Sequence, residues 1–245
     1  MIHVHELTKV YGALTAVQGL SFHVPPGEIL GLVGPNGAGK TTTLRSLAGI
    51  IPPTRGEIRI AGQDLARSPV AAKAALAFIP DEPQLFDYLT VREHLGFVAR
   101  LYRQPEAVAR GPALLAELEL AEKADSLASE LSRGMRQKLA IACGLLHQPQ
   151  VLILDEPLTG LDPVGIRRMK RTIAARAEAG AAVILSSHLL PLIEELCTRV
   201  LIIQNGQRVA MGTVAEIAAG RPELSGRGLE DLFLSLTGHA DAPRP

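Results

Sequence analysis

Gly34-Pro35-Asn36-Gly37-Ala38-Gly39-Lys40-Thr41 follows directly on the run Glu28-Ile29-Leu30-Gly31-Leu32-Val33, and this junction decides the fold. The run is short and apolar, which reads as a strand buried on both faces. The stretch after it has the spacing G-x-x-x-x-G-K-[ST], and residues 40–49 beyond it are predicted as a helix. Glycines let successive backbone N–H groups turn inward around anionic oxygens, and the helix presents its positive N-terminal end to them. Lys40 can reach terminal phosphates and the Thr41 hydroxyl can ligate magnesium. An ordinary glycine turn would supply the glycines, but not this spacing between a buried strand and a helix. The candidate phosphate contacts are therefore Gly34, Asn36, Gly37, Ala38, Gly39, Lys40, Thr41 and Thr42.

A phosphate cradle alone fits kinases, GTPases, motors and transport ATPases. Further along, Val151-Leu152-Ile153-Leu154-Asp155-Glu156-Pro157 is an apolar strand that delivers two carboxylates at its exposed end. One suits the shell of a magnesium ion and the next suits polarising an attacking water. By itself the pair could be a strand ending in a polar turn. Together with the cradle it points to nucleotide hydrolysis.

Around these anchors the chain organises as α/β. Residues 3–33 read as a strand-rich opening punctuated by Tyr11-Gly12, Gly19 and Pro25-Pro26-Gly27, and a strand at 57–60 precedes the turn Ala61-Gly62-Gln63-Asp64. From about 91 to 127 the pattern becomes helical, with Val91, Leu95, Val98 and Leu101 three or four apart. Beyond Ser132 the expected order is a helix to 147, strand 151–154, helix 163–179, strand 182–185, helix 190–197 and strand 200–204. Buried strands alternating with helices favour a parallel sheet. We expect a P-loop NTPase fold with a parallel-sheet core, a strand-rich N-terminal part and a helical subdomain at about 85–145, all within residues 1–220. Residues 221–245 read as a tail with one amphipathic stretch at 229–236, disordered from 240.

The bulk composition excludes several functions. Of 245 residues, Lys+Arg and Asp+Glu number 25 each, so no excess positive charge is available to track a nucleic-acid backbone. Cys143 and Cys197 are too few for a disulfide framework or a four-ligand zinc site, are compatible with a reducing cytosol, and are expected as buried thiols. His3, His5, His23, His94, His147 and His239 have no metal-ligand spacing and are expected to be structural or exposed. The opening residues carry no export signal, and no apolar run approaches the roughly 20 residues of a membrane helix.

Leu131-Ser132-Arg133-Gly134-Met135-Arg136-Gln137 resembles the signature segment of the ATP-binding-cassette (ABC) ATPases, usually L-S-G-G-Q, and stands before the acidic pair as it does there. The resemblance extends to about residue 215. In it Tyr11 looks like the adenine platform, Leu161-Asp162 like the segment after the acidic pair, and Ser187-His188 like the switch histidine. The resemblance implies ATP with Mg2+, Glu156 as base, His188 as a γ-phosphate contact, and Ser132 and Gly134 as γ-phosphate ligands facing the phosphate cradle of a second copy. It further implies a separate transmembrane permease, a location on the cytoplasmic face of the cell membrane, and no nucleic-acid partner. The wording of residues 81–95, with the 229–236 stretch, looks most like single-domain bacterial subunits that pair with export-type permeases.

Two departures stand out. Relatives usually carry glutamine after the strand near 76–80; here Asp81 follows Pro80, so Asp81 takes the place beside the metal or Gln84 does. Arg133 and Met135 replace glycine and glutamine of the usual signature. The competing readings are a cassette ATPase acting on nucleic acid or ribosomes and a P-loop kinase or GTPase. The first usually has a coiled-coil insertion, zinc cysteines or a second cassette; the second lacks a use for the Ser132–Gly134 segment and His188.

Overall fold

The computed structural model describes residues 1–220 and 226–238. In chain order these form β1 (Ile2–Tyr11), β2 (Leu14–Val24), β3 (Ile29–Val33), α1 (Lys40–Leu47), β4 (Arg55–Ile60), β5 (Gln63–Asp64), α2 (Pro69–Ala74) and β6 (Leu76–Ile79). There follow α3 (Val91–Leu101), α4 (Gly111–Glu117), α5 (Arg133–Leu146), β7 (Val151–Asp155), α6 (Pro163–Glu178), β8 (Ala182–Ser186), α7 (Leu190–Leu196), β9 (Arg199–Gln204), β10 (Gln207–Gly212), α8 (Val214–Ala219) and α9 (Leu229–Leu236).

Two sheets result. β2-β1-β4-β5 is antiparallel, and β10-β9-β3-β8-β7-β6 is parallel except for β10 at its edge. β3, β7 and β8 are buried along their whole length, which is why they read as continuous apolar runs and not as alternating ones. Side-chain alternation splits them between two cores. Leu30, Leu32, Ile153, Ile184 and Leu201 pack toward α1 and the antiparallel sheet, where Ile2, Val4, Leu20, Ile58 and Ile60 meet them. Leu152, Leu154, Val183, Leu185 and Ile202 pack toward the helices, including Leu95, Leu115, Leu139 and Ile173.

The parallel register is what assembles a site. Leu32 lies opposite Ser186, Asp155 opposite Ser186, and Ile79 opposite Leu154. The chain therefore leaves β3, β6, β7 and β8 on the same side, at their carboxyl ends, where open α/β sheets bind ligands. The helical segment is more broken than its periodicity suggested: short 3-10 turns at 105–110 and 121–123 interrupt it, and α4 begins at Gly111-Pro112. β10, α2 and α8 were not anticipated. The expected disorder from 240, and His239, lie outside the described residues.

Candidate functional site

The cradle is shaped by close backbone approaches. Gly39 stands at φ 101°, and a Cβ there would come within 2.5 Å of the Ala16 carbonyl oxygen, so only glycine fits. Gly39 is also the N-cap of α1, whose first turn carries no acidic residue, leaving that positive helix end open to an anion. Gly206 N donates to Ala38 O at 3.0 Å, so the turn between β9 and β10 braces the cradle. Lys40 Nζ donates to the Gly34 and Pro35 carbonyls at 2.6 and 3.2 Å, curling back over the loop. Burial holds its ammonium below the usual lysine range, while the Glu156 and Asp155 carboxylates pull it back up. Lys40 and the acidic pair thus share one electrostatic environment. Thr41 is exposed; Thr42 is half-buried, its carbonyl accepting from Ser46 Oγ at 2.8 Å.

At the end of β7 Asp155 is buried, and its Oδ1 accepts from Ser186 Oγ at 2.6 Å. Ser186 also turns the next residue: Glu156 N donates to Ser186 O and Oγ, both at 3.2 Å. Glu156 has φ 50°, a left-handed conformation uncommon for a residue with a Cβ, and it is the site residue that adopts it among seven such non-glycine positions in the described residues. His188, on the loop after β8, brings Nδ1 to 2.9 Å from Glu156 Oε2, while its side chain is 64 % exposed. Two residues read separately from sequence thus share one hydrogen bond. Ser186, which orients both carboxylate-bearing residues, was passed over; its only sequence signal was the Ser186-Ser187 pair before the histidine.

Ser132 caps α5, its hydroxyl accepting from Met135 N at 3.3 Å. A Cβ at Gly134 would sit 2.7 Å from Gly160 O, so the first turn of α5 rests on the loop that follows Glu156. Asp162 ends that loop by capping α6 through Gly165 N at 2.8 Å. Tyr11 closes β1, 43 % exposed, with Lys9 Nζ 4.9 Å from its ring centroid. Asp81 lies against Arg133, with Asp81 Oδ1 and Arg133 Nη2 3.5 Å apart. The Gln84 side chain donates to the Glu82 carbonyl at 3.3 Å. Of the remaining histidines, His94 and His147 are buried and hydrogen-bonded, while His3 and His23 stack on the exposed face of the antiparallel sheet.

A glycine cradle after β3, an acidic pair at the end of β7 and a histidine after β8, all at the carboxyl ends of the parallel strands, define a P-loop nucleotide-hydrolysing enzyme. The family model described as ABC transporter matches residues 17–159. The chain is 34 % identical to the ABC-type transporter ATP-binding protein EcsA of Bacillus subtilis (strain 168), over 97 % of this chain and 96 % of that protein. It is 41 % identical to the Nod factor export ATP-binding protein I of Paraburkholderia xenovorans (strain LB400), over 89 % of this chain and 72 % of that one. A solved ATP-binding subunit of an ABC transporter superposes with a TM-score of 0.91 at 36 % identity, over 96 % of this chain and 99 % of that chain. The chain belongs to the ABC transporter family: it is an ATP-binding ATPase that energises a transporter.

Proposed function

We propose that the chain drives an export-type permease carried on a separate polypeptide, as one of two copies that sandwich ATP at the cytoplasmic face of the membrane. No helix among the described residues is long and apolar enough to cross a bilayer, so the span is assigned to the partner. The names of the relatives, with Nod factor export among them, support the export direction. The docking surface we assign is α3 with the loop before it, where Phe86, Tyr88, Phe97 and Leu101 are exposed. Phe86 meets Phe97 edge-on at 5.2 Å, and Phe86 N donates to the buried His94 at 3.1 Å, giving this apolar patch a fixed shape.

In this reading Tyr11 stacks on adenine, the 34–42 cradle and Lys40 hold the phosphates, and Ser132 and Gly134 meet the γ-phosphate bound by the other copy. Mg2+ needs only one or two protein oxygens beside phosphates and waters. The buried Asp155 and the exposed Thr41 hydroxyl at the start of α1 fit that need, and the ion would supply charge neutralisation of the phosphates. Glu156 takes the proton of the attacking water. His188, already hydrogen-bonded to Glu156, orients that carboxylate and contacts the γ-phosphate. The observation that carries the reading is the 2.9 Å His188–Glu156 contact beside an Asp155 locked by Ser186.

Glu156→Gln keeps the shape but removes the basic oxygen, so ATP binding should persist while steady-state hydrolysis falls by about a hundredfold or more. Equilibrium binding of a fluorescent ATP analogue and phosphate release measure the two; near-normal phosphate release would remove Glu156 from the role of base.

A further inference from the structure

Asp81 and Arg133, the two departures from the usual motifs, meet each other. The loop after β6 leaves the sheet beside the acidic edge, since Ile79 pairs with Leu154 just before Asp155. There Asp81 Oδ1 is covered and accepts no hydrogen bond, although the side chain as a whole is 44 % exposed, so the covered oxygen is the one turned toward a positive partner. The Arg133 guanidinium stands 3.5 Å away. Its stem runs along Gly160, where a Cβ would lie 3.4 Å from Arg133 Cδ. One helical turn on, Arg136 Nη1 donates to Asp87 Oδ1 of the same loop at 3.2 Å and to Ala128 O at 3.0 Å. The first turn of α5 thus presents Arg133 and Arg136, three residues apart on one face, to Asp81 and Asp87.

We infer that Arg133 is a positioning residue: paired with Asp81, it fixes the Ser132–Gly134 turn against the loop after β6 and the Gly160 loop. Asp81 then serves that turn and not the metal shell. The two unusual residues answer each other, because an aspartate alone would add negative charge beside the triphosphate and an arginine alone would leave the turn untied. The same clasp ties the turn to the loop bearing Phe86 and Tyr88. The inference rests on the reading that the Ser132 turn meets nucleotide held by a second copy.

The test is a double-mutant cycle of D81A, R133A and D81A/R133A, with R133K as the conservative variant. Hydrolysis is measured against ATP and against Mg2+, and thermal melting verifies that each variant folds. Each alanine substitution should lower kcat by about three- to tenfold, leave KM for ATP and half-saturating Mg2+ within about twofold of wild type, and add little once the other has been made. R133K should recover part of the loss. A raised Mg2+ requirement in D81A that recurs unchanged in D81A/R133A would return Asp81 to the metal shell and overturn the inference. Losses that multiply, or no loss in either single variant, would do the same. Failure of the two-copy reading shows itself separately, as full activity of a wild-type chain proven monomeric.

Discussion

Glu156 holds a left-handed backbone, at a cost on the order of 1 kcal/mol or more, because two hydrogen bonds to Ser186 fix its N–H while its carboxylate turns to His188. The acid and the histidine could be read from their motifs; the strain and the serine behind it could not, since both arise from strand register. The Asp81–Arg133 contact was hidden for the same reason: each residue looked like an isolated departure until the fold joined them. The cysteines, expected as buried thiols, are half-buried by exposed area and pack against the larger core. Burial pushes both the Cys143 and Cys197 thiols up to about 12 from 9.0. Since the thiolate is the nucleophile, native-state alkylation by iodoacetamide at pH 8 should run at least about tenfold slower than in the unfolded chain. The folded pKa exceeds the unfolded one, so this contribution to stability is complete below pH 9 and is lost as pH rises toward 12. Mass spectrometry of the alkylated protein, native and in denaturant, measures the rates; rapid native labelling would show that the thiols are not buried in solution.

Helices and strands were legible wherever burial wrote a period into the sequence. α5, α6 and β7 begin where their caps or apolar runs indicated, and α9 occupies the amphipathic stretch expected at 229–236. β10 escaped because it is an edge strand whose first three residues, Gln207, Arg208 and Val209, are exposed and give no buried face to read. α2 and α8 are six residues each, too short for a helical period to stand out. α9 has a consequence for stability. Leu229 and Leu232 are fully buried, and burying a leucine stabilises by about 1.5–3 kcal/mol. Its first N–H, on Leu229, donates to Glu194 Oε2 of α7 at 3.0 Å, placing a carboxylate at the positive helix end. α7 is in turn tied to α6 by the Lys170–Glu195 ion pair and starts two residues after His188. Glu194→Ala should loosen α9 by about 1–2 kcal/mol, seen as roughly tenfold faster amide exchange over 229–237 with β7 and β8 unchanged. Equal exchange in both proteins would mean that apolar packing alone holds α9.

Two helix N-termini carry the phosphate contacts in this reading: α1, which follows Gly39 and has no acidic residue in its first turn, and α5, which Ser132 caps on an exposed turn. They lie on different parts of the fold, α1 against the antiparallel sheet and α5 against α3 and α4. A self-complementary pairing of two copies would let each α1 site face the other copy's α5 site, so one chain supplies half of each composite site. Mixing then becomes diagnostic. Lys40→Ala removes the phosphate contact of the cradle, and Ser132→Arg fills the turn at the start of α5; each alone should be inactive. In a mixed dimer one site carries both defects and the other carries neither. With equal amounts and random exchange, half of the dimers are mixed and each has one intact site, so recovered hydrolysis should reach up to about a quarter of wild type. Ser132→Arg also deletes a helix cap worth about 1 kcal/mol, and matched melting curves separate that loss from the catalytic one. Subunit exchange is verified by native mass spectrometry of differently tagged chains. Mixed dimers that form and stay as inactive as either parent would mean that the two helix ends do not share a nucleotide.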